Sequence, residues 1–317
     1  MKNIILSAGL FLAFISCTEN ENEQNLATAD INLNNPERFM STEFPVGTKY
    51  SMSEVAIQGA YNQFRQTLNK NEAIGIVAEV DHAQNAKSID EDLNYTRIIF
   101  FGNPNLGTPL MQRNQLAGLD LPQKVLFYKD EDKKDIILYN NVEYLRSRHE
   151  LDGVETLSKI SGALANLVSG FSKNEILAAD QQTVGSKEGI ITKQSELSFE
   201  DSYSALKNAL ESNPNISIMA ELDHQANAAR VGLELDPTRV IIFENPNLGT
   251  PLMQKEQSIG LDLPQKMLVW ENSEGEVYVS YNDPFFIAGR HSVENSEEIL
   301  NTINEALDNL SKVATGN

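Results

Sequence analysis

The 317-residue chain holds one cysteine, Cys17, so no thiol is left beyond it. That excludes disulfides, thiolate metal sites and a cysteine nucleophile in the rest of the chain. Positive charge is also scarce, with 25 Lys and Arg against 45 Asp and Glu and a formal net charge of −20. No Lys/Arg-rich run exists to neutralise phosphates, which excludes nucleic acid as a partner. Gly-x-Ser-x-Gly, His-Glu-x-x-His and Gly-x-x-x-x-Gly-Lys-Ser/Thr are all missing. With them go the common hydrolase, zinc-protease and P-loop readings, and no motif names a cofactor. What remains is 41% apolar and 22% charged, the composition of a globular protein of about two ordinary domains.

The amino terminus carries a positive residue, Lys2, followed by an apolar stretch from Ile4 to Ile15. This stretch is too short to span a bilayer and reads as the core of a signal peptide. It ends at Ser16-Cys17, which resembles the lipobox of bacterial lipoproteins, with Phe14 in place of the usual Leu. Residues 1–17 are therefore expected to be a lipoprotein signal, with Cys17 acylated and anchored in the bilayer. The expected location is the bacterial cell envelope, at the outer membrane. Residues 18–45 are rich in Asn, Glu and Thr and read as a flexible tether.

The remainder is written twice. Asp81-His82 recurs as Asp223-His224, an offset of 142 residues. The same offset carries Arg97 to Arg239, Asn103–Gln112 to Asn245–Gln254, Gly118–Lys124 to Gly260–Lys266, and Arg148-His149 to Arg290-His291. No gap is needed from Glu79 to His149, and roughly half the aligned positions are identical. The expected domains are 46–170 and 194–317, with 171–193 as linker. Within the first copy, Val55, Tyr61, Phe64 and Leu68 mark an amphipathic helix, leading to a strand over Ile74–Val80. A short polar helix, a strand over Arg97–Phe101, and a hairpin of Lys124–Tyr128 with Ile136–Tyr139 follow. Between strand and hairpin, Thr108 is expected to cap a helix with Pro109 at its first position, and Gly118 to end it. Leu157, Ile160, Leu164 and Leu167 form the stripe of a closing helix. The fold class is α+β: two similar domains, each a small, mostly antiparallel sheet packed with helices.

Asp-His near a strand end, Asn-Pro-x-x-Gly-Thr-Pro-Leu-Met, Leu-Asp-Leu-Pro-x-Lys and a late Arg-His together resemble the bacterial domain of unknown function numbered 302. The second copy, with Trp270 and Tyr281-Asn282-Asp283-Pro284, is closer to that pattern. The first has Asn141-Val142 in place of Asp283-Pro284. The resemblance implies small α+β units that tend to pair, so that a tandem would pack its repeats on each other as a pseudo-dimer. It implies no established activity.

All four histidines fall in matched pairs, His82 with His224 and His149 with His291. One candidate ligand site joins His82, Asn103, Thr108 and His149 around a helix start, with the copy His224, Asn245, Thr250 and His291. Free N–H groups at such a terminus favour a small anionic ligand, with Arg97 or Lys124 adding charge. A metal would draw on Asp81, His82 and His149, or on Asp223, His224 and His291. The alternative reading is structural, with turn and cap residues around the Asn-Pro block and a buried histidine pair holding the last helix. Asp120 is open to a catalytic reading, with a cap or turn role favoured, and Met111 and Met253 read as core. The leading functional reading is a ligand-binding or interaction module on the envelope. The alternative is an enzyme or metal-binding protein using a paired His/Asp cleft in each repeat.

Overall fold

The computed structural model describes residues 44–173 and 175–317. The expected signal segment, Cys17 and the expected tether as far as residue 43 lie outside them. The tether's last two residues belong to the fold: the buried Phe44 ring stacks on Tyr50, and the Pro45 carbonyl accepts from Thr48.

The first repeat runs β1 (Thr48–Met52), α1 (Ile57–Asn69), β2 (Gly75–Asp81), α2 (His82–Lys87), β3 (Thr96–Gly102) and α3 (Pro104–Arg113). A 3-10 turn (Gln115–Leu119), β4 (Gln123–Lys129), β5 (Asp135–Asn140), α4 (Val142–His149) and α5 (Thr156–Ser169) complete it. After the two-residue β6 (Leu177–Ala178) the order repeats: β7 (Ile190–Gln194), α6 (Phe199–Glu211), β8 (Ser217–Asp223), α7 (His224–Arg230), β9 (Thr238–Glu244) and α8 (Pro246–Lys255). A second 3-10 turn (Gln257–Leu261), β10 (Gln265–Glu271), β11 (Val277–Asn282), α9 (Pro284–Arg290) and α10 (Glu297–Thr315) follow. The expected linker over 171–193 is thus partly built in. β6 lies on β1, and β7 begins at Ile190, the counterpart of Thr48.

Two antiparallel sheets result, ordered β2-β3-β4-β5-β1-β6 and β8-β9-β10-β11-β7, so the fold is α+β. Helix α1 forms because Ile57, Ala60, Tyr61, Phe64 and Leu68 recur three and four residues apart and share one buried stripe. Val55 lies before the helix and is exposed. Phe64 meets Phe101, Phe127 and Phe171 edge-on, with ring centroids 5.3–6.2 Å away. The central strands β3, β4 and β5 lack polar–apolar alternation because both their faces are covered. On β3, Ile99 and Phe101 join the helix side while Ile98 and Phe100 join a second core on the opposite face.

That opposite face is closed from the other repeat. Ile242 and Leu261 pack into the core of Val80, Phe100, Leu126 and Leu138, while Leu119 packs with Val240 and Leu268. Each repeat's 3-10 turn therefore lies on its twin's sheet. Gly118 is not a helix C-cap: α3 ends at Asn114. A Cβ at Gly118 would stand 3.0 Å from Leu268 Cδ1, and one at Gly260 would stand 3.3 Å from Leu126 Cδ1 and Thr96 Cγ2. Side chains of the other repeat press on both glycines, so a side chain there would force those neighbours to shift. Thr108 is not an N-cap either. Asn103 and Asn245 cap α3 and α8, accepting from the Asn105 and Asn247 N–H at 3.0 and 3.1 Å. Pro104 and Pro246 take the first helical position, where a missing N–H costs nothing, and Pro109 lies inside the helix.

Candidate functional site

Asp120, expected as a turn residue, and its copy Asp262 are buried centres of two ionic nodes. Asp262 Oδ2 accepts from Arg290 Nη1 at 2.5 Å and His291 Nε2 at 2.9 Å, and its Oδ1 accepts from Lys124 Nζ at 2.7 Å. Asp120 Oδ2 accepts from Arg148 Nη1 at 2.7 Å and His149 Nε2 at 2.8 Å. The arginines then cross between repeats: Arg148 reaches Asn282 Oδ1 at 2.9 Å, and Arg290 reaches Asn140 Oδ1 at 2.6 Å. Arg290 also lies 4.0 Å over the Tyr144 ring and Arg148 4.9 Å over that of Phe286.

The two nodes differ in detail. Asp120 Oδ1 and Lys266 Nζ have no hydrogen-bond partner, whereas Lys124 is paired. Burial, with the nearby Lys124 charge, pulls the Lys266 ammonium down to about 7. Burial works to raise the Asp120 and Asp262 carboxyls, but the surrounding cations hold both well below the usual carboxylate range. His291 Nδ1 meets Ser258 Oγ at 2.9 Å, while His149 Nδ1 is bare. The cause lies in the sequence, since Leu116 stands where the second copy has Ser258.

The histidines expected to share a cleft are divided between environments. His149 and His291 belong to the nodes. His82 is buried with Nε2 3.3 Å from the Gly260 carbonyl of the other repeat, and His224 lies at the equivalent place near Gly118 with its Nε2 unbonded. Burial holds His82 and His224 down to about 4 and lowers His149 and His291, so all four are neutral at neutral pH. The neighbouring Asp81 and Asp223 turn away to cap α2 and α7 and to pair with Arg97 and Arg239. Among the described residues, no group of three His, Cys, Asp or Glu is placed to hold a metal ion. The His/Asp metal cleft is not formed, because Asp81 and His82, like Asp223 and His224, diverge where strand turns into helix.

A different set converges. A cavity of about 90 Å³ between the repeats is lined by His82 and Asn85 of the first repeat with Glu244, Asn245 and Thr250 of the second. The expected partners of His82, Asn103 and Thr108, are replaced by their copies from the twin. Phe243, Leu248, Met253, Leu263 and residues of α10 complete an apolar wall. Thr250 is buried with its hydroxyl unpartnered. Glu244 receives Asn85 Nδ2 on Oε1, and burial pushes its carboxyl up to about 7. Sequence reasoning passed over Glu244, although it is a position where the copies part, Gly102 being its counterpart. Among the described residues no Lys or Arg lines this cavity, so the anion expected at the helix start would find no counter-charge. A larger open cleft of about 600 Å³, lined by Asp92, Asp130, Glu131, Asp132 and Glu256 with Lys134 and Lys255, is mostly surface side chains.

Paired antiparallel sheets joined by mirrored Asp-Arg-His nodes define a tandem-duplicated α+β protein. A family model described as "Domain of unknown function DUF302" matches residues 49–167 and 191–310, and the chain belongs to that family, carrying the domain twice. Curated relatives include the fluoride-specific ion channel FluC 1 of Brucella suis biovar 1 (strain 1330), 39% identical over 111 residues. That match covers 35% of this chain and 43% of the relative. FluC 1 of Brucella abortus biovar 1 (strain 9-941) is also 39% identical over 111 residues, covering 35% and 41%. The chain thus spans less than half the length of these relatives. Among the described residues, no helix is long and apolar enough to cross a membrane. A crystal structure of an uncharacterized conserved DUF302 protein from Bacillus stearothermophilus aligns with a TM-score of 0.37 at 16% identity, covering 40% of this chain and 98% of that one.

Proposed function

We propose that this chain is a cell-envelope lipoprotein that binds one small ligand between its repeats, which serve as the halves of an intrachain pseudo-dimer. The observation that carries the reading is the composite cavity. His82 and Asn85 come from one repeat and Glu244, Asn245 and Thr250 from the other, around a buried hydroxyl with no partner. Buried polar groups are normally satisfied, and a cavity that sets an unsatisfied hydroxyl in an apolar wall suits a small ligand. The anchor is supported by Lys2, the Ile4–Ile15 stretch and Ser16-Cys17, and the acylated Cys17 would hold the protein at the outer membrane.

Gly249→Leu tests the pocket. A side chain there would extend from a Cβ 3.6 Å from Leu263 Cδ1 and 3.8 Å from Met253 Cε, both lining the cavity, at a backbone that needs no glycine. In a thermal-shift panel of molecules of about four to seven non-hydrogen atoms, some should raise the Tm of the full chain and not that of G249L. No hit, or equal hits with both proteins, would refute ligand binding. Cys17→Ser should move the protein from the membrane to the soluble fraction, and unchanged partitioning would reject the anchor.

A further inference from the structure

We propose that the cavity between the repeats takes a small alkylammonium ion, its head on Glu244 and Thr250 and its carbon chain on the wall made by Ile216 and helix α10. The inference rests on the binding reading above and names the ligand's chemistry.

Charge decides the head group. Among the described residues, Glu244 and His82 are the ionisable ones around the cavity, and no Lys or Arg lines it. His82 turns its ring nitrogen to the Gly260 carbonyl and stays uncharged, so it neither attracts an anion nor repels a cation. Asn85, from α2, donates to Glu244 Oε1, which leaves Oε2 for a donor from the ligand. A carboxyl held in an apolar wall away from cations is poorly solvated, and a bound ammonium replaces the missing counter-charge. The buried Thr250 hydroxyl, unbonded within the protein, can accept a second ammonium N–H.

Shape decides the tail. Ile216, Leu248, Met253, Ile303, Leu307 and Leu310 offer aliphatic surface. A cavity of about 90 Å³ with aliphatic walls suits a short straight chain such as that of butylammonium. The opposite junction lacks the head-group site, because Gly102 occupies the position of Glu244. One site per chain follows.

The test compares n-butylammonium chloride, sodium butyrate and n-butanol at millimolar concentration by ligand-observed NMR on the full chain at pH 8. Butylammonium should bind once per chain and at least tenfold more tightly than the other two. Glu244→Gln, which keeps the Asn85 contact, should weaken it at least tenfold. As Glu244 takes up its proton below about pH 7, the affinity should fall roughly tenfold per pH unit. This profile is read on the unaltered chain, so the test survives a poorly folding variant. Binding that ignores pH, or that E244Q retains, overturns the proposal. Gly249-dependent binding of butanol or butyrate without butylammonium overturns it while leaving the pocket reading intact. If none of the three binds, this proposal falls, and the thermal-shift panel alone decides the pocket reading.

Discussion

Removing one negative charge from each ionic node separates the two repeats energetically. Asp262 holds Lys124, Arg290 and His291 with both oxygens, and all four side chains are at most 1% exposed, so solvent screens little. In Asp262→Asn one oxygen becomes an NH2 group facing either the lysine or the arginine, and two buried cations lose their counter-charge. Breaking a buried pair in this way costs about 3–5 kcal/mol. Asp120 uses only Oδ2, toward Arg148 and His149, while its Oδ1 is unbonded. Asp120→Asn can place its NH2 at the empty position and keep its carbonyl on the arginine. The saving is one charge-assisted hydrogen bond, about 1.5–3 kcal/mol. Urea unfolding at pH 7.5, comparing midpoints at constant m-value, should rank parent above D120N above D262N, with about 2 kcal/mol between the variants. Equal costs within 0.5 kcal/mol, or the reverse order, would refute the claim that the copies carry different loads.

Lys266 is buried without a partner and pulled down to about 7, so between about pH 7 and 10.5 the unfolded chain holds a proton that the folded one lacks. Parent stability should therefore rise with pH across that window, by up to about 1.4 kcal/mol per unit, and Lys266→Met should flatten this and be no less stable at pH 7. A persisting slope in K266M assigns it elsewhere. His82 and His224 should show no NMR titration between pH 6 and 8. Because His82 and His224 are depressed to about 4, stability should fall as pH drops from about 6.5 toward 4, each contributing up to about 1.4 kcal/mol per unit. A histidine titrating near 6.5 would contradict the burial argument.

Much of the fold was legible before any coordinates. The 142-residue offset, the stripe of Tyr61, Phe64 and Leu68, and the β4–β5 hairpin follow from periodicity and repetition. The helix start was misplaced by five residues because Thr-Pro and Asn-Pro are both good openings. The outcome turned on Asn103 reaching the Asn105 N–H, which is three-dimensional information. The site was legible as a parts list and illegible as an assembly. Repetition tells which residues recur, and says nothing about whether His82 meets Thr108 or its twin Thr250. Asp120 hid for a related reason: an Asp between two leucines before a proline looks like a turn until the Arg148 guanidinium arrives from 28 residues away.

The reciprocal seating of the two 3-10 turns constrains the order of events during synthesis. When the ribosome has made residues 44–173, the chain can form β1 to β5 and clothe one side of the sheet with α1 and α5. Val80, Phe100 and Leu138 must then wait for Ile242 and Leu261, still unmade, to cover the other side. The first half is therefore a greasy, unfinished surface until some seventy to ninety further residues are in place.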